Sequence, residues 1–179
     1  MKINRSIKKK LIKIKLVIAD IDGVLTDGRL YFNGGEEIKS FNVKDGIRVK
    51  LAIKHGIKIV WLTGRKCKAV IQRSREFNGV KLIFRNNLKS PTDLFEILKK
   101  KEKIHPTEIL YIGDDLNDIF MMNRVGISVT PRDGSNDTKK IADIITDAKG
   151  GEGVLGEIIE VIMREKGIWA KSINEKYSL

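Results

Sequence analysis

The sequence predicts an α/β fold, a doubly wound parallel sheet with a β-hairpin inserted after its first strand, and three observations carry the prediction. Short apolar runs alternate with amphipathic stretches along the chain. The runs are nearly continuous in apolar residues, as strands covered on both faces are. An Asn33-Gly34-Gly35 turn breaks the alternation soon after the first run. The strand-like runs are residues 15–19, stopping at Asp20, then 57–62, stopping at Thr63-Gly64, then 80–84, 109–112 and 127–129, with 143–146 a weaker sixth. Helical patterns fill the gaps at 46–54, 66–77, 92–103, 117–124 and 154–165. Thr92, or Ser90 ahead of Pro91, offers an N-cap, and Gly79 and Gly126 stand where helices should end. Such alternation specifies parallel strands with helices on both faces. The hairpin takes residues 29–32 and 36–43. A lone hairpin is marginal in water, and with no second domain to receive it, another subunit is its expected partner. The 179 residues make one domain, read as 15–166 between a basic N-terminal arm, 1–14, and a C-terminal arm, 167–179. The arms are either loose or reach a neighbour, and Trp169 and Tyr177 either fill a neighbour's pocket or stay exposed.

Composition narrows the function classes. With 41% apolar and 32% charged residues the chain closes a core and is not disordered. No run approaches the roughly 20 apolar residues of a membrane-spanning helix. The basic start MKINRSIKKKLIKIKL has no long apolar segment and no small-residue cleavage site, so it does not read as a secretory signal. One cysteine, Cys67, excludes an internal disulfide and a thiolate zinc cage, and His55 and His105 leave little for a zinc enzyme. A cytoplasmic protein is expected. The net charge is +12, and residues 2–15 carry seven cations and no acid. A second basic stretch holds Arg65, Lys66, Lys68, Arg73 and Arg75. That excess suits nucleic acid, an anionic membrane surface or a small phosphorylated acid. No helix-turn-helix, zinc or RNA-recognition signature accompanies it, so nucleic acid is not the expected partner.

Chemistry concentrates where the runs end. Asp20 and Asp22, two apart at the carboxyl end of the first run, point the same way, at the edge where open α/β sheets bind ligands. One carboxylate can attack phosphorus while a second manages the leaving group's proton. A calcium-like or ordinary surface turn is the plainer reading of Asp-x-Asp-Gly alone. Gly113-Asp114-Asp115-Leu116-Asn117-Asp118 follows another run, and acids crowded there beside Asp20 and Asp22 repel unless a cation joins them; hard oxygen ligands suit Mg²⁺. Thr63-Gly64-Arg65 offers a hydroxyl and a backbone N–H to phosphate oxygens, and Lys89 a compact positive charge.

Asp20-x-Asp22-Gly-Val-Leu-Thr, Thr63-Gly-Arg65, Lys89 and Gly-Asp114-Asp115-x-x-Asp118 occur in the order of the four motifs of the haloacid dehalogenase-like phosphohydrolases, which the chain resembles. The resemblance implies a Rossmann-like sheet, Asp20 as nucleophile, Asp22 as general acid/base, and Mg²⁺ held by the Asp20 carboxylate, the Asp22 main-chain carbonyl and the Asp114 carboxylate. Asp118 is then a support for Lys89 or for a metal-bound water. Over residues 15–166 the hairpin, Phe41-Asn42-Val43-Lys44-Asp45-Gly46, Thr63-Gly64-Arg65-Lys66 and Gly150-Gly151-Glu152-Gly153 are similar to the 3-deoxy-D-manno-octulosonate 8-phosphate phosphatase family. That family has no cap domain and forms ring-shaped tetramers in which a neighbour closes each site. The resemblance implies a small acidic sugar-phosphate substrate held by Asp22, Asn42, Val43, Lys44, Asp45, Gly46, Arg65, Arg73 and Lys89, with Asp20, Asp22, Thr63 and Lys89 catalytic, in lipopolysaccharide precursor synthesis. Gly156 and Lys50 stand where the family usually has arginine, which leaves nonulosonate 9-phosphates or several sugar phosphates as alternative substrates. A catalytically silent binding subunit is the remaining alternative. Cys67, His55 and His105 are expected to be structural.

Overall fold

Six apolar runs become one all-parallel sheet in the computed structural model, which describes residues 3–88, 90 and 92–177. Along the chain come α1 (Arg5–Leu11), β1 (Leu16–Asp20), the hairpin β2 (Tyr31–Asn33) and β3 (Glu36–Ile38), α2 (Val43–Lys54), β4 (Lys58–Thr63), α3 (Lys68–Arg75), β5 (Val80–Phe84), α4 (Asp93–Ile97), β6 (Ile109–Ile112), α5 (Ile119–Met122), β7 (Ile127–Thr130), α6 (Asn136–Ile141), β8 (Ile144–Ile145), α7 (Val154–Glu165) and α8 (Trp169–Tyr177). The strand order β5-β4-β1-β6-β7-β8 puts β1 at the point where the winding reverses. A crevice opens at the carboxyl ends of strands there.

Alternate residues of each strand serve two cores. Val17, Ala19, Ile59, Trp61, Leu110 and Ile112 face α1, α2, α3 and α7, while Leu16, Ile18, Val60, Leu62, Ile109 and Tyr111 face α4 and α5. Burial on both sides explains why these strands read as unbroken apolar runs. Gly34 and Gly35 turn the hairpin with φ of 55° and 85°. Its outgoing end is fastened to the domain: Lys39, whose side chain is 1% exposed, pairs with Asp22 and Glu37, and Glu37 pairs with Arg65.

Two expectations change. The reading of 1–14 as an arm is corrected for its described part. Asn4 caps α1 by accepting the Ile7 N–H at 2.9 Å, and Ile7, Leu11 and Ile14 are buried in the sheet's first core, leaving the lysines outside. The C-terminal segment is also helical: Ile168, Trp169 and Ile173 pack on that core, and the Ser172 hydroxyl lies 2.6 Å from His55 Nε2. Tyr177 remains exposed. The pattern at 92–103 forms α4 followed by a wider turn over Leu98–Glu102, and α6 is a helix that the apolar pattern did not announce.

Candidate active site

The first strand delivers Asp20 at its last residue, and the chain then turns tightly, with the Thr26 N–H returning to the Ile21 carbonyl at 3.0 Å. Gly23 sits in this turn at φ 88°, and a Cβ there would strike the Asp114 carboxylate. The glycine therefore lets the first loop touch the loop after β6. That second loop is built around Asp118. Its Oδ2 accepts the N–H groups of Asp114 at 2.9 Å and Asp115 at 3.3 Å. Its Oδ1 accepts the Tyr111 hydroxyl at 2.6 Å and Arg85 Nη2 at 2.5 Å. Gly113 is required because a Cβ at that position would overlap the Asp118 side chain. The Ser135 N–H, at the start of α6, holds the Asp114 carbonyl at 2.8 Å.

Carboxylate oxygens of Asp20, Asp114 and Asp118 lie within 4.8 Å of one another. Burial, and then the Asp118 charge, hold the Asp20 carboxyl well above its ordinary range, despite Arg85 Nη2 at 2.7 Å from Oδ1. Burial with the neighbouring Asp118 and Asp115 pushes Asp114 up to about 7. Such a cluster, in which Arg85 already pairs with Asp20 and Asp118, is stabilised with its acids ionised when further positive charge enters beside Asp114. The donor set, buried hard oxygens from separate loops, fits Mg²⁺. Because both Asp118 oxygens are already shared among four donors, Asp20 and Asp114 are the carboxylates left to hold an ion.

A cavity of about 290 Å³ opens over the cluster, lined by Asp20, Asp22, Thr63, Arg65, Asp114, Asp115 and Asn117. Thr63 is buried at the end of β4, its hydroxyl accepting the Arg65 N–H at 3.1 Å. Lys89 lies outside the described residues. Asn42, Val43, Lys44, Asp45, Gly46 and Arg73 do not line this cavity. Asn42 caps α2 and donates to the Gly151 carbonyl at 3.3 Å, Val43 is exposed, and Lys44 lies on a separate groove with Arg48. Asp45, buried, accepts the Gly156 N–H at 2.6 Å, and burial pushes its carboxyl up to about 6. Arg73 lies over the Phe77 ring at 4.9 Å beside Gly46. A Cβ on Gly156 would meet Arg48, whose guanidinium pairs with Glu160 at 3.0 Å, so Arg48 crosses the space above the missing side chain.

Against proteins of known function, the chain is 36% identical over 168 residues to a 3-deoxy-D-manno-octulosonate 8-phosphate phosphatase of Salmonella typhi, covering 92% of this chain and 87% of that one. The chain belongs to the 3-deoxy-D-manno-octulosonate 8-phosphate phosphatase family. It is thereby a phosphoric monoester hydrolase, and residues 93–158 match the haloacid dehalogenase-like hydrolases. The solved structure of this phosphatase from Moraxella catarrhalis, in complex with magnesium ion, phosphate ion and KDO, superposes with a TM-score of 0.88 at 30% identity, over 96% of this chain and 98% of that one. The cobalt-bound phosphatase of Haemophilus influenzae does so with a TM-score of 0.81 at 31% identity, over 92% and 98%.

Within this family member, three groups at the acid cluster escaped the motif reading. Arg85 stands one residue past β5, on the sheet edge that carries Asp20 and Thr63, and that position is its one sequence signal. Tyr111 is the polar tip in an otherwise apolar strand. Lys39 has no local signal; only the hairpin's path brings it to Asp22. Cys67 is buried, and the His105 ring accepts the Thr107 N–H, both structural as expected.

Proposed function

We propose that this phosphatase hydrolyses 3-deoxy-D-manno-octulosonate 8-phosphate to the free sugar acid and phosphate, as a cytoplasmic step of lipopolysaccharide precursor synthesis. The observation that carries the reading is the convergence of Asp20, Asp22 and Asp114 on one cavity in a chain 36% identical to a phosphatase of that name. An Asp20 oxygen attacks phosphorus, forming an aspartyl-phosphate as the bond to the sugar oxygen breaks, and Asp22 gives its proton to the departing oxygen. Asp22 then takes a proton from water as that water attacks phosphorus and releases Asp20. Thr63, the Gly64 N–H and Lys89 hold phosphoryl oxygens, Lys89 on its motif alone. Mg²⁺, with the Asp20 and Asp114 carboxylates and the Asp22 carbonyl as ligands, draws charge off the phosphoryl group when bound. Arg65 faces the sugar acid from the rim of the cavity, and residues 42–46 with Arg73 enter the reading on their motif alone, since none of them lines the cavity.

Leu30, Tyr31, Phe32 and Ile38 of the hairpin are exposed, which supports a homotetramer whose neighbouring subunits cover them. A second substrate class, nonulosonate 9-phosphates, rests on Gly156, where the arginine side chain usual in the family is missing and a Cβ would meet Arg48. Comparing kcat/KM for the octulosonate 8-phosphate and nonulosonate 9-phosphates with Mg²⁺ tests the reading. The octulosonate ester is expected to be preferred by at least tenfold, about 1.4 kcal/mol of transition-state binding. Preference for a nine-carbon ester transfers the assignment to that class, and absence of turnover on every ester defeats it.

A further inference from the structure

Arg85 is placed among groups that a divalent ion also needs. Its Nη2 lies 2.7 Å from Oδ1 of Asp20, 2.5 Å from Oδ1 of Asp118 and 2.7 Å from the Tyr111 hydroxyl, and its Nη1 donates to the Asn117 carbonyl at 3.3 Å. Two hydrogens on Nη2 thus face three oxygens, while Nε is buried with no partner. A guanidinium whose work is to brace a fold has its buried donors satisfied. Here one is overcommitted and another idle, so charge, more than a completed set of hydrogen bonds, holds it in place. The strand register puts it there: Phe84 pairs with Thr63 and Leu62 with Asp20, so the residue after β5 emerges beside the nucleophile. Guanidinium and Mg²⁺ seek the same hard carboxylate oxygens, and like charges a few ångströms apart in a partly buried cluster oppose each other.

We propose that Arg85 is a positioning residue that stands in for the divalent ion, holding Asp20 and Asp118 together in the metal-free protein and opposing the ion's entry. The affinity for Mg²⁺ is then the outcome of a contest between guanidinium and ion for the nucleophile's carboxylate. The inference rests on the phosphatase reading only for the identity of the ion. Its consequence differs in sign from that of a brace. If Arg85 merely supported the loop, its loss would loosen Asp20 and Asp118 and weaken ion binding; if it competes, its loss strengthens ion binding.

Isothermal titration of Mg²⁺ into substrate-free wild-type protein and Arg85→Ala decides between them. The variant is expected to bind Mg²⁺ at least about tenfold more tightly, to melt below wild type in EDTA, and to gain more from added Mg²⁺. Arg85→Gln, which keeps a neutral donor near Asp20, carries the same expectation and replaces the alanine variant if that one does not fold. Equal or weaker Mg²⁺ binding by the folded variant overturns the proposal while leaving the phosphatase reading intact. A wild-type protein that binds no Mg²⁺ overturns both, and one that binds Mg²⁺ yet cleaves no sugar phosphate overturns only the phosphatase reading.

Discussion

Asp118 shows how one residue organises the edge of the acid cluster through its hydrogen bonds alone. Four donors share its wholly buried carboxylate, which ties the Asp114 loop to Tyr111 and Arg85. Asp20, by contrast, is buried with its carboxyl held high, a group kept ready for a cation. Asp20→Asn is expected to cut turnover by at least about a thousandfold while the circular-dichroism spectrum stays unchanged; normal turnover would remove Asp20 as nucleophile. Asp45 makes a prediction about stability. Its carboxyl is raised from 3.8 to about 6 in the folded protein, so the native state binds this proton more tightly than the unfolded chain. Its contribution is therefore full below about pH 4 and is lost as pH rises through about 6, a change on the order of 3 kcal/mol. Asp45→Asn keeps an acceptor for the Gly156 N–H and should flatten the stability profile between those values, measured by urea unfolding across the range. An unchanged slope would mean that Asp45 is ionised at no cost.

At the scale of elements, α1 and the hairpin matter most, because each looks dispensable in the sequence. The lysines of α1 hide a buried stripe of Ile7 and Leu11, with Ile14 beyond it, on the face that meets the sheet. Leu11→Ala should cost about 3 kcal/mol, read as a lower urea midpoint; a shift within error would make α1 an ornament. The hairpin is tied to chemistry through the buried Lys39, whose two carboxylate partners outweigh the cost of burying it and raise its pKa. Removing that ammonium leaves Asp22 and Glu37 facing each other. Lys39→Met is accordingly expected to lower kcat more than it raises KM, since the work proposed for Asp22, the group it orients, lies in the chemical step. A pure KM effect would place Lys39 on the binding side.

Across the whole molecule, the order of strands decides where chemistry occurs. Asp20 leaves the central strand, with Thr63 arriving from one side and Asp114 from the other, which is why three distant segments meet in one cavity. The exposed apolar hairpin is the surface where association is expected. Replacing Leu30 and Phe32 together by Ser should reduce the mass seen by light scattering and lower activity; a monomeric wild type would refute the assembly. Much of this was legible in advance. The five strong strand runs are found within a residue or two, because burial on both faces writes itself into composition, and α7 spans residues 154–165 as its periodicity requires. Asp20, Asp22, Thr63, Arg65 and Asp114 were legible as motifs, since each sits at the last residue of a strand or two residues beyond it. α1 was obscured by the run of lysines that interrupts its short apolar stripe, and Arg85 and Lys39 by having no neighbours in sequence that explain them. Local pattern thus determined the strands, the helices between them and the acids at their ends, because those depend on period and on residue type. Tertiary structure alone decided that a guanidinium shares Asp20, that the hairpin's lysine meets Asp22, and that Arg48 fills the space beside Gly156. Each of these is a contact between residues far apart in the chain, set by strand register and the approach of two loops, and no local periodicity encodes it.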